Sequence, residues 1–208
     1  MPLRTWTTQR LEDTFQLTRK LHCPTLASWL EMPFTIEKSI EAKLEEWRKE
    51  LLYYSEHWNE AELKWFFIAN LVNLVNFKTP NYHLFLERSI EATINGITLK
   101  EVVDAMVAAG RYEPTLPYFC FHEYKKEKGT ADDPRGQLLS AMLVAQQLND
   151  NEKPIYGAYV IGRNWIFVVL TGNTYCISNN YSATHQDELQ EIFGILSNLK
   201  KIIRMQLI

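Results

Sequence analysis

The sequence predicts a mixed α/β fold of the α+β kind, layered around one mixed sheet, and three observations carry that prediction. The hydrophobic period changes from helical to strand-like near Ser89, and Asn95-Gly96 stands between two β-prone runs. Asp133-Pro134 then opens an apolar helical stretch between two groups of strands. From residue 59 the implied order is α-β-β-β-α-β-β-α.

Residues 1–58 are rich in charge and read as a helical N-terminal extension packed on a core formed by 59–208, the two making one structural domain. TLASWLEM (25–32) is one helical piece, stopped by Pro33. Ile36, Ile40, Leu44, Trp47, Leu51 and Tyr54 then recur at helical spacing, with Glu37, Lys38, Glu41, Glu45, Arg48 and Lys49 opposite. This 35–54 stripe either packs on its own domain or joins a second copy or a protein partner. Asn59 with Glu62 three residues later suggests a capping box for a helix over 60–76, apolar on most sides and ended by Pro80.

SIEATI and the run after Asn95-Gly96 form a hairpin whose second strand spans about 97–108. LPYFCFHEYKKE (116–127) is a third strand, and GQLLSAMLVAQQL (136–148) is a helix with Asp133 as its N-cap. PIYGAYVIG (154–162), NWIFVVLTG (164–172) and TYCIS (174–178) are further strands before a last helix from Thr184 to Ile203.

Composition narrows the function. With 208 residues, 46% hydrophobic and 23% charged, the chain can bury a real core and is not disordered. Its longest apolar run, FFIANLVNLV (66–75), is short of a membrane span, and MPLRTWTTQR lacks an apolar signal core. Cys23, Cys120 and Cys176, odd in number and far apart, suit a reducing cytoplasm and no zinc cluster. A net charge of −3 excludes a broad basic coat, so an anionic partner must be gripped locally. The aromatics are scattered through apolar runs and read as core rather than as a base-stacking platform.

The informative charges lie at strand ends. Asp104 sits among Val102, Val103, Met106 and Val107, where a lone carboxylate needs a compensating cation or donors. Alternation puts Glu123 and Lys125 on one face of the third strand, with Phe119 and Phe121 earlier on it, and sends His122 to the other face as a packing residue. Asp104, Glu123 and the carbonyl of Tyr124 are oxygen donors of the kind a hard divalent ion takes. Lys125 would then orient or activate a water and stabilise charge on a phosphate. Lys126, Lys128 and Arg135, beside the helix N-terminus at 136, are candidates for gripping phosphates, with Asp132 and Asp133 opposing them. Arg163, in a turn, is a further candidate for nucleic acid, and Cys120 reads as a small buried side chain.

Asp104, an 18-residue gap and Glu123-Tyr124-Lys125, on a hairpin strand and the next strand with a helix following, resemble the PD-(D/E)XK nuclease superfamily. ELKWFFI, KEVVDAMVAAG, HEYKKE, DPRGQLLSAM and IYGAYVIGRNW extend the resemblance over 59–170, to an uncharacterised bacterial branch. It implies a restriction-endonuclease-like αβββαβ core that uses Mg²⁺ or Mn²⁺ to hydrolyse phosphodiesters of nucleic acid, with DNA the first expectation and RNA left open. Asp104, Glu123 and Lys125 match the motif, while Val103 stands where its proline would be. The acid often found on the preceding helix corresponds to Glu62 or Glu60, with Glu91 a weaker match. Gln137 fits the start of a Gln-x-x-x-Tyr substrate element, but Ala141 replaces the tyrosine. The alternative is a catalytically inactive nuclease-fold module for binding or assembly in a DNA defence or repair complex.

Overall fold

In the computed structural model, Asn95 and Gly96 take φ of 52° and 77°, the left-handed pair that a tight hairpin turn requires. They join strands β2 (Tyr82–Ile94) and β3 (Ile97–Ala109), paired from Ile94↔Ile97 out to Tyr82↔Ala109. The structure describes residues 6–126 and 133–207, with Cys120 and Phe121 described in backbone only. The candidates Lys128 and Asp132 and the Cys120 side chain lie outside what is described.

Strand β4 (Thr115–Lys125) continues the sheet antiparallel to β3. Helix α6 (Pro134–Asn149) then crosses over to β5 (Ile155–Ile161), which lies parallel to β4. Strands β6 (Asn164–Thr171) and β7 (Thr174–Ile177) follow antiparallel, and short β8 (Tyr181–Ser182) pairs with β6. Helix α7 (Gln186–Gln206) closes the described chain. The αβββαβ order is therefore present, in a mixed sheet flanked by helices on both faces.

The N-terminal region is more than a helical extension. After helix α1 (Thr8–Phe15), residues Thr18–Lys20 form β1, an edge strand parallel to β7. Three residues give too little periodicity to betray a strand in sequence. Helices α2 (Pro24–Leu30) and α3 (Lys38–Tyr54) follow. Within the 35–54 stripe, Leu44 and Leu51 are buried in the chain's own core, and Ile36, Ile40 and Trp47 pack against it. That core lies on one face of the sheet, beneath α2, α3 and α7; the second core, on the other face, is built around α1 and α6.

The helix foreseen over 60–76 is composite: α4 (Glu60–Leu63), a π-helical turn (Lys64–Ile68) and α5 (Ala69–Val75). The Ala69 N–H donates to the carbonyl of Lys64, the wide turn's signature.

Two slips in strand alternation decide where the site falls. On β3, Leu99 and Val103 face the α6 core, yet beyond Asp104 that core takes Met106 and Ala108. Glu87, between the pairs Leu86↔Ala105 and Arg88↔Val103, holds φ of 48°, and this rotation moves the hairpin's alternation by one. On β4 the register shifts from Val107↔Cys120 to Ala108↔Tyr118, which makes Phe119 an extra residue. Phe119 accordingly lies in the same core as Tyr124, not on the face of Glu123 as strict alternation suggested.

Candidate functional site

Asn59 starts α4 through the capping box: its Oδ1 accepts from the Glu62 N–H at 2.9 Å, and its own N–H donates to Glu62 Oε2 at 2.7 Å. The Glu62 carboxylate is thus committed to the cap, and the acid of this turn that reaches Lys64 and Lys125 is Glu60. Lys64, four residues on, donates to Glu60 Oε1 at 2.8 Å and to Asp104 Oδ1 at 2.6 Å. The other Asp104 oxygen accepts the Tyr124 N–H at 2.7 Å. Tyr124 therefore enters the site through its N–H, the expected role of its carbonyl resting on sequence alone. Lys125 Nζ lies 2.8 Å from Glu123 Oε1 and 4.0 Å from Glu60 Oε2. The charges form a run, Asp104–Lys64–Glu60–Lys125–Glu123, with three acids against two lysines.

Burial tunes this run. Glu123 is 5% exposed, and burial together with the Asp104 charge pushes its carboxyl up to about 7, although Lys125 pulls the other way. Burial works against the ammonium of Lys64, but its bonds to Asp104 and Glu60 outweigh that and raise its pKa. The same contest, won by Glu123, Glu60 and Asp104, raises Lys125. Both lysines therefore stay charged near neutrality, while Glu123 is poised to lose or hold a proton.

The donors suit a hard divalent ion. Two carboxylates that repel each other, one of them half-protonated near neutrality, gain from a cation between them, and Mg²⁺ characteristically takes one or two carboxylates and keeps several waters. Among the described residues no group of three or more His, Cys, Asp or Glu side chains is placed to hold a metal, so the set is a sparse one.

The remaining candidates divide. Gln137 lies beside Glu123, lining a narrow gap with Glu101 and His122, and its buried Oε1 has no hydrogen-bond partner among the described residues. Arg135 donates from Nε to Thr8 Oγ1 at 2.9 Å, and Asp133 Oδ1 and Oδ2 accept from the N–H groups of Gly136 and Thr8. The α6 N-terminus is thereby closed by its own cap and by α1. Lys126 is exposed beyond the strand end, and Arg163 contacts Glu56 at 3.4 Å. Glu91 pairs with Lys100 across the hairpin, at 3.3 Å. His122 lies buried 2.7 Å from the Tyr124 hydroxyl, and burial holds it neutral, down to about 4.

Sequence reasoning missed Lys64. Its signal was the i,i+4 pair with Glu60, hidden in a helix read as apolar on most sides.

Matched against models of known families and against curated proteins, the chain finds no counterpart. Among solved structures it is similar to part of a protein in the cryo-electron microscopy structure of the DrdV–DNA complex, with a TM-score of 0.46 and 14% identity. The match covers 77% of this chain and 13% of that one, so the chain spans about an eighth of its length. Among the described residues no helix is long and apolar enough to cross a membrane.

Proposed function

We propose that this chain is a divalent-metal-dependent nuclease that hydrolyses phosphodiester bonds, with DNA as its substrate. The observation that carries the reading is the run of charge from Asp104 through Lys64, Glu60 and Lys125 to Glu123, where the end of β4 lies beside the middle of β3, in a setting that leaves Glu123 poised near neutrality. Asp104 and Glu123 would hold Mg²⁺ or Mn²⁺, which when bound supplies Lewis-acid polarisation of the phosphate and offsets its charge. Asp104 is prepositioned by the Tyr124 N–H. Glu123 gives up its carboxyl proton on becoming a ligand. Lys125 keeps its charge, so its role is to orient the attacking water and stabilise the phosphate oxygens rather than to accept a proton. Gln137 Oε1 is buried beside Glu123 with no hydrogen-bond partner among the described residues, so its contact with substrate would require that gap to open. The assembly-module alternative draws less support, because α3 spends most of its apolar stripe on the chain's own core.

The test is nicking of supercoiled plasmid in Mn²⁺, with loss of activity in Asp104→Ala and Lys125→Ala. Wild-type protein that leaves plasmid, linear and single-stranded DNA intact and binds no divalent ion would overturn the reading.

A further inference from the structure

Between the helix 60–75 and the hairpin lies a cleft of about 440 Å³, within the range of small-molecule sites, roughly 300–1,000 Å³. Its walls are apolar, with Ile68 and Val72 on the helix side and Leu84 and Leu86 on β2, and Trp65 lines it. Lys64 and Asp104, the head of the charged run, line it too, as do Asn73 and Glu87, the latter across the hairpin from Asp104. Trp65 is 75% exposed and Leu86 58%, an unusual investment of apolar surface in water beside a cluster of charges. The left-handed backbone at Glu87 is the bend that brings this wall and Asp104 together.

The cleft joins an apolar wall with an exposed indole, suited to an aromatic ring, to Asp104 and to Lys64, the one ammonium that lines it, held by Asp104 and Glu60. A phosphate there would be met by the ion that Asp104 and Glu123 would hold, with Lys64 beside it. A base within a duplex has both faces covered and cannot reach such an indole; an unpaired base can. We propose that the cleft is a nucleobase subsite and that the chain takes single-stranded DNA, one base stacking on Trp65 while the neighbouring phosphate lies beside Lys64 at the ion that Asp104 and Glu123 would hold. This rests on the nuclease reading and adds to it a substrate class and a specificity residue. The exposure of Trp65 departs from the expectation that the aromatics read as core.

The experiment is binding of a short fluorescein-labelled oligodeoxythymidine by the full chain, with Ca²⁺ present, in competition with duplex DNA. Wild type binds the single strand more tightly than the duplex. Trp65→Ala weakens single-strand binding by roughly 5- to 150-fold, the worth of one stacked base, while Trp65→Phe retains most of it. Ala69→Leu, which leaves Trp65 in place and fills the cleft, also weakens binding. Equal affinity in wild type, Trp65→Ala and Ala69→Leu, or a preference for duplex, overturns the subsite and leaves the nuclease reading intact. No binding of either DNA by wild type overturns both.

Discussion

Two parts of the molecule carry charges that a phosphate could meet, and they differ in whether those charges are already spent. At the N-terminus of α6, Asp133 takes the N–H groups of Gly136 and Thr8, and Arg135 is bonded to Thr8. A Cβ built on Gly136 would stand 2.4 Å from the Trp6 carbonyl oxygen, so α1 is seated directly on that helix end. Where the end of β4 lies beside the middle of β3, by contrast, three acids share two lysines and border an open cleft. The first is a joint between elements. The second holds opposed charges in excess of what its neighbours neutralise, the condition in which a metal ion or substrate is welcome.

The sharpest way to break this comparison is to substitute within each region. Asp104→Asn and Lys125→Met each lower Mn²⁺-dependent plasmid hydrolysis by about 100-fold or more, as expected for charge placed against a transition state. Arg135→Ala leaves the rate within a few-fold. Comparable losses from Arg135→Ala would return the helix terminus to the site.

The next effect is in pH. Glu123 titrates near 7 in the folded protein against 4.5 as a free side chain, so the folded form holds the proton more tightly. Its contribution to the metal-free protein's stability is present below pH 4.5 and is lost as pH rises through about 7. Mn²⁺ affinity runs the other way, falling about tenfold per pH unit below 7 and levelling above it. Calorimetric titration across this range checks the slope, and Glu123→Gln removes it.

Smaller, and confined to stability, is Asp133→Ala: loss of the cap and of the bond to α1 costs about 1–2 kcal/mol in urea unfolding, with Mn²⁺ affinity unchanged. Smallest is Glu62→Gln, which perturbs the capping box by about 0.5 kcal/mol and leaves Mn²⁺ affinity intact, whereas Glu60→Gln alters it.

Much of the sheet was legible because its signals are local. Asn95-Gly96 marks its turn by backbone need, and Asp133-Pro134 marks a helix start by capping chemistry. β2 begins at Tyr82 rather than near Ser89, because Glu87 breaks the alternation that would have announced the earlier half. The same rotation, with the extra residue at Phe119, sets which side chains share a face, and neither leaves a trace in composition. Glu123 and Lys125 do stand at the end of β4, but Asp104 lies in the middle of β3 rather than at a strand end, because β3 runs on to Ala109 beside the start of β4. Choosing Glu60 over Glu62 needed knowledge of which acid the cap consumes, and Lys64 needed the third dimension. The cleft beside Trp65 exists only where a π turn and a bent hairpin meet.

The central claim is that Asp104 and Glu123 close on one divalent ion. Crystals soaked in Mn²⁺ test it directly: the claim predicts an anomalous peak between the two carboxylates, with the Lys64 ammonium drawn away from Asp104 Oδ1. Saturating Mn²⁺ that leaves no peak there, with Lys64 still on Asp104, would contradict it.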